Sequence, residues 1–243
     1  MKTTPIPKEA NVEVIIADNP QEAAGTAISD LFEKFSGTEI LFVVAGGSSL
    51  GVLDYVDEDD ISSQMTVVVT DERVSDELDI NNYAQLQATP FWNKLVRNDA
   101  YSIPTELLGR NSEELRDAYD AALKKWKADF PKGVVIGLYG IGEDGHTAGI
   151  IPGVYSKGEF DARYLGDRYA EEFEAIDKGT FPFRVTTTLS FMRDVVDVAF
   201  FYVQGKRKAE ALQTVIAAEG SLYDTPARIM HDMKKAFVFT DIL

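Results

Sequence analysis

Apolar residues recur along this chain in two periods, and the way the two alternate outlines a fold. Residues 12–16 alternate as a strand does, and residues 20–35 then carry apolar side chains at helical spacing behind Asn19, a good N-cap. Apolar runs return at 39–45, 65–70, 134–139, 195–203 and 236–240, each the length of a strand buried on both faces. Between them the pattern predicts a short helical stretch at 50–55, helical segments at 83–88 and 91–96, an amphipathic helix at 111–130 and another at 209–218. The β-branched stretch 184–189 predicts a further strand, Asp71-Glu72-Arg73 closes the strand at 65–70, and the acidic residues 157–182 read as a loop with some helix. This order of strand, loop and helix implies an α/β fold: one doubly wound, mostly parallel sheet with helices on both faces, forming a single domain over residues 1–243.

Composition narrows the classes of function. With 243 residues, 45% of them hydrophobic, the chain can bury a sizeable core. No run approaches the roughly 20 apolar residues that span a bilayer, and the start, Met1 to Lys8, lacks a signal-peptide core, so a soluble cytoplasmic protein without membrane contact is expected. The absence of cysteine excludes disulfides and thiol catalysis, and two distant histidines do not make a metal pair, so no metal is expected. A formal net charge of −16 argues against nucleic-acid binding. In so acidic a chain, cations beside glycine-rich loops are informative.

Four strand-end loops carry candidate chemistry, because ligands of open α/β sheets bind beyond the carboxyl ends of the strands. The segment Gly140-Ile141-Gly142-Glu143-Asp144-Gly145-His146-Thr147-Ala148-Gly149 sets a histidine in a glycine-rich turn, with a carboxylate two positions before it and a hydroxyl after it. Gly46-Gly47-Ser48-Ser49 joins a strand to a helix start, where backbone N–H groups and hydroxyls can hold a phosphate; the same residues also make a plain turn. Asp71-Glu72-Arg73 offers an arginine to an anion with a carboxylate to orient it, or is a surface ion pair. Arg184 and the Lys206-Arg207-Lys208 cluster are either solubilising charge or an anion site; Lys208, in the first turn of its helix, wants a negative partner. His231 and Lys124-Lys125-Trp126-Lys127 read as structural, with Trp126 against the core.

Taken in order, Ala45-Gly46-Gly47-Ser48-Ser49, Asp71-Glu72-Arg73 with Asn82-Tyr83, Gly142 to Ala148 with Pro152-Gly153, Arg184-Val185-Thr186 and Gly205-Lys206-Arg207-Lys208-Ala209 resemble the 6-phosphogluconolactonases. The broader group also holds glucosamine-6-phosphate deaminases. The resemblance implies a Rossmann-like sheet without a nucleotide fingerprint, no cofactor, and a small-molecule substrate: 6-phospho-D-glucono-1,5-lactone, hydrolysed to 6-phosphogluconate in the oxidative pentose phosphate pathway. It implies that Gly46, Gly47, Ser48, Ser49, Arg184 and Lys208 hold the phosphate, that His146 works at the lactone carbonyl and that Arg73 faces the sugar end. The residues suit that chemistry: an imidazole can take a proton from water and return it to the leaving ring oxygen, Asp144 can orient it, and Arg73 or backbone N–H groups of the Gly145 loop can meet the oxyanion. Asp71 joins Arg73 at that end of the site.

Two alternatives are carried forward. In the deaminase branch a glutamate follows the histidine by five positions, where this chain has Ile151, and Arg73 stands where deaminases carry tyrosine or another residue. A sugar-phosphate sensor that has lost turnover is the other; no helix-turn-helix segment or basic face accompanies the domain. Departures from the lactonase pattern are Ser49-Leu50 in place of Thr-Pro, Asn81 in place of serine, Gly149 in place of serine, Ile150-Ile151 in place of Leu-Phe, and a shortened, proline-poor approach to Arg184.

Overall fold

Side-chain alternation in the central strands builds two cores, one on each face of a sheet. In the computed structural model, which describes residues 2–4, 11–75, 77, 80–105, 111–174 and 183–242, the elements in chain order begin with β1 (Lys2–Thr4), β2 (Val12–Ile16), α1 (Pro20–Lys34), β3 (Ile40–Val44), β4 (Met65–Val69) and β5 (Asp71–Arg73). They continue with α2 (Asn82–Gln87), α3 (Pro90–Arg97), β6 (Tyr101–Ser102), α4 (Ser112–Asp129), β7 (Val134–Gly140), α5 (Lys157–Tyr164), β8 (Ala170–Glu174) and β9 (Phe183–Thr187). The last are α6 (Leu189–Asp194), β10 (Val198–Val203), α7 (Ala209–Ile216) and β11 (Ala236–Thr240).

Eight strands form the main sheet in the order β1-β2-β11-β10-β7-β3-β4-β6, parallel throughout except for the β1–β2 pair. Every position of β3 and β4 is buried. Ile40, Phe42 and Val44 face α1, α2 and α3 through Ile28, Phe32, Leu86 and Phe91, whereas Leu41 and Val43 face the cluster of Leu115, Tyr119 and Leu123 of α4 with Leu212 and Val215 of α7. The doubly wound, mostly parallel sheet with helices on both faces is therefore present as the pattern indicates. Asn19 caps α1 through Glu22 N at 3.3 Å, and Asn111 opens α4 with a capping box. Trp126 is buried as expected, its indole N–H donating to Thr66 Oγ1 at 3.1 Å. Among the described residues no helix is long and apolar enough to cross a membrane.

Beside the main sheet lies a three-stranded antiparallel sheet, β5-β9-β8, which the apolar pattern does not announce. Asp71-Glu72-Arg73 does not close the strand before it; the chain leaves β4 at Thr70 and pairs with β9 instead, opposing Asp71 to Thr186 and Arg73 to Arg184. The stretch expected as a strand over 184–189 ends at Thr187, because Thr188 caps α6 by accepting Phe191 N at 3.1 Å. The strand expected from 195 starts at Val198, since Asp197 turns to accept Val135 N at 2.9 Å. The helix expected at 50–55 begins at Gly47 as a 3₁₀ helix running to Tyr55. Residues 157–174 hold α5 behind a Ser156 capping box and then β8, a strand in place of the expected loop; residues 175–182 lie outside the described residues. β1 and β6 are short edge strands without an apolar run to mark them.

Parallel pairing puts the carboxyl ends of β10, β7, β3 and β4, neighbours in that order, along one edge. The loops after them, and the small sheet joined there by Thr187 N to Thr70 O at 2.8 Å, meet in one place.

Candidate active site

A cavity of about 290 Å³ opens at that edge. Residues 45–49 after β3, Asp71 and Arg73 of β5, Asn82 of α2, residues 140–142, His146 and Ala148 after β7, Arg184 of β9 and Lys208 before α7 line it. Nine of the ten residues singled out from the sequence, all but Asp144, are in that lining.

His146 is held by a turn whose geometry the glycines allow. Gly145 N donates to Gly142 O at 3.0 Å, and Gly142 N to His146 O at 2.9 Å. The ring lies so close over Gly142 that a Cβ there would overlap the imidazole and stand 2.8 Å from Asp144 Oδ1. Asp144 Oδ1 is 2.6 Å from His146 Nδ1 and accepts the His146 backbone N–H at 3.2 Å. That hydrogen bond with the His146 ring draws the Asp144 carboxyl down to about 2, so it is ionised at any working pH. The anion fixes the proton on Nδ1 and leaves Nε2 as the ring's acceptor. Gly142→Ala is expected to push the ring off Asp144 without unfolding the chain and, with His146 as the expected catalytic group, to cost about tenfold in kcat; kinetics beside a melting curve check it.

The loop leaves His146 through a left-handed residue. Ala148 has φ 49°, one of two positive-φ positions other than glycine among the described residues, at a cost of about 1–2 kcal/mol. Hydrogen bonds on both sides hold it: Thr147 Oγ1 to Gly140 O at 2.9 Å, and Gly149 N to Thr186 Oγ1 at 2.9 Å. Gly149 also explains the departure noted at that position, because a Cβ would come within 3.0 Å of both the Phe173 ring and Thr186 Cβ. Ile151 packs against the same Phe173.

Three cations, Arg73, Arg184 and Lys208, share the cavity with one carboxylate, Asp71. Among the described residues none of the three has an ion-pair partner at bonding distance. Burial pushes the Arg184 guanidinium down, Asp71 partly offsetting it and Arg73 adding to it; its Nε is buried without a hydrogen-bond partner among the described residues. Burial likewise pushes the Lys208 ammonium down, against the pull of Glu143. Arg207 turns to solvent, paired with Glu143 at 3.2 Å. Ser49 is buried and Ser48 exposed at the head of the 3₁₀ helix, a place where the first backbone N–H groups of a helix lack partners within it and can meet an anion.

Some expectations change. The N–H groups of Gly145, Gly142 and His146 are used within their own turn and that of Gly149 donates to Thr186 Oγ1 of β9, so none of these four is open to an oxyanion, whereas Arg73 lines the cavity. Glu72, read from the sequence either as part of an anion-orienting group or as part of a surface ion pair, is fully buried; burial raises its carboxyl to about 7 against four hydrogen bonds that lower it. Asn82 was legible only as part of a motif, yet its side chain lines the cavity. His231 is structural as expected, its Nε2 2.8 Å from Val215 O.

Similarity to known proteins agrees with this geometry. The fold is similar to that of a 6-phosphogluconolactonase from Plasmodium vivax, with a TM-score of 0.76 at 16% identity over 99% of this chain and 93% of that one. It is similar to the enzyme of the same name from Trypanosoma brucei, with a TM-score of 0.74 at 16% identity over 93% and 95%. The 6-phosphogluconolactonase from Thermotoga maritima gives 0.69 at 17% over 94% and 98%. No curated protein sequence matches the chain. Residues 17–239 match the family described as glucosamine-6-phosphate isomerases/6-phosphogluconolactonase, and with nearly its whole length inside that match the chain belongs to this family.

Proposed function

We propose that the chain, as one domain, is the lactonase of this family and hydrolyses 6-phospho-D-glucono-1,5-lactone to 6-phosphogluconate. What carries the reading is one juxtaposition: a carboxylate-paired histidine and three cations without ion-pair partners among the described residues line a single cavity in a chain of net charge −16. Such a cavity suits a dianionic phosphate at one end and a polar, uncharged reacting group at the other.

In the proposed reaction the phosphate rests against Gly46, Gly47, Ser48, Ser49, Arg184 and Lys208. His146 Nε2 takes a proton from water as the water oxygen bonds to the lactone carbonyl carbon, and negative charge moves to the carbonyl oxygen beside Arg73. The tetrahedral intermediate then collapses, the bond to the ring oxygen breaks, and the proton on His146 passes to that oxygen. The product is the open acid, and the imidazole is regenerated. Asp144 stays ionised and steadies the imidazolium; Asp71 offsets part of the like-charge repulsion between Arg73 and Arg184. An amino-sugar isomerase reading is less supported, because Ile151, five positions after His146, is buried against Phe173 and offers no acid or base.

The test is hydrolysis of freshly generated lactone by purified protein, followed as proton release. Acceleration far above the buffer rate is expected, with no ammonia released from glucosamine 6-phosphate. Decay at the buffer rate would refute the reading.

A further inference from the structure

Glu72 does not line the cavity and is fully buried. Its Oε1 accepts the N–H of Arg73 at 2.7 Å and of Asn82 at 2.6 Å; its Oε2 accepts the N–H of Tyr83 at 2.9 Å and the hydroxyl of Thr105 at 2.9 Å. These donors come from three separate places: β5, the first turn of α2 and the segment after β6. A buried carboxylate without a cation is expensive to keep, and here backbone N–H groups that a strand and a helix start would otherwise leave open offset it. Two of the four donors belong to residues whose side chains enter the cavity, Arg73 and Asn82. Asn82 passes the restraint on: its Nδ2 donates to Asp71 O at 2.8 Å, and its carboxamide lies over Gly46, where a Cβ would meet Oδ1 at 2.5 Å.

We propose that Glu72 is a positioning residue of the site: its carboxylate clamps β5 to the start of α2 and thereby sets where Arg73 and Asn82 stand relative to His146 and the Gly46-Gly47-Ser48-Ser49 loop. The kinetic consequence rests on the lactonase reading; the geometric one does not. A side chain that only stabilised the fold would lower the melting temperature and leave the folded enzyme's kcat alone. A clamp on Arg73 acts at the reacting carbonyl, so kcat falls while the phosphate end of the site keeps its affinity.

Two variants separate these roles. Glu72→Gln keeps the shape but turns one acceptor into a donor facing Tyr83 N–H and Thr105. Thr105→Val removes one donor from the clamp at a buried residue that does not line the cavity. Kinetics with fresh lactone, inhibition by 6-phosphogluconate and crystal structures of both variants are measured. Glu72→Gln is expected to lose about 30-fold in kcat and Thr105→Val about fivefold, with product inhibition constants within about threefold of the parent and Thr105→Ser restoring kcat. In the crystals Arg73 and Asn82 are expected to move by about 0.5 Å or more. Parental kcat in the folded variants, or Arg73 and Asn82 unmoved, overturns the proposal. If the parent does not turn over lactone, the functional reading fails by itself, and the displacement in the crystals still decides the clamp; if Glu72→Gln does not fold, Thr105→Val decides it.

Discussion

Replacing His146 by alanine is expected to lower kcat by about two to four orders of magnitude, the usual contribution of a general base. Binding of 6-phosphogluconate should change by no more than a few fold, because the proposed phosphate contacts lie on other loops. Water attack on the carbonyl needs a proton acceptor in the transition state, and Nε2 of His146 is the ring nitrogen that Asp144 leaves open. Asp144→Asn is the informative companion. The carboxyl of Asp144 is drawn down to about 2, so its charge is present above the ordinary carboxyl range and is lost only as pH falls through that depressed value. Asp144 therefore contributes no inflection to kcat/KM above about pH 4. The asparagine keeps an acceptor but removes the charge that favours the imidazolium, and a smaller fall of about tenfold to a hundredfold is expected. A His146→Ala enzyme within fivefold of the parental kcat would remove His146 from the chemistry.

That the loops around His146 would meet was legible because the strands are parallel. Runs such as Leu41-Phe42-Val43-Val44 and Val67-Val68-Val69 are buried on both faces, which only a sheet covered by helices on both sides permits. Their carboxyl ends then share an edge, and the special residues at those ends share a cavity. The small sheet was not legible as a sheet, because β9 was marked by its β-branched residues but its two partners violate the usual strand composition. β8 reads Ala-Glu-Glu-Phe-Glu, and its acids are tolerated there by cations distant in sequence: Arg116 stands 3.1 Å from Glu172 and 3.8 Å from Glu171, and Arg163 is 3.4 Å from Glu171. β5 is three charged residues long. The role of Glu72 was hidden for a related reason. A carboxylate between Asp71 and Arg73 reads as surface charge until the N–H groups of Asn82 and Tyr83 and the hydroxyl of Thr105 are brought to it, and no local spacing encodes that.

The small sheet also sets up the second large effect, at Arg184. Register opposes Arg184 to Arg73 across the β5–β9 pair, and like charges directly opposite each other in an antiparallel pair are destabilising. Asp71 offsets this only partly, burial lowers the guanidinium's affinity for its proton, and Nε is buried without a partner among the described residues. An anion in the cavity offsets the like-charge opposition and gives the half-buried guanidinium a counter-charge, so its binding and the stability of the folded chain are expected to be linked. Arg184→Met keeps the bulk of the stem and removes the charge. It is expected to raise KM for the lactone by about 10²-fold, the loss of two charge-assisted hydrogen bonds at roughly 1.5 kcal/mol each, with a much smaller change in kcat. The melting temperature tells the same story in a form independent of turnover. The parent should gain stability steadily as 6-phosphogluconate or inorganic phosphate is added, and Arg184→Met should lose most of that gain. With the like-charge pair removed, the variant without ligand should melt no lower than the parent. A variant that keeps the ligand-induced rise, or melts well below the parent without ligand, would mean that Arg184 serves the fold and that the phosphate is held by the Ser48 loop and Lys208 without it.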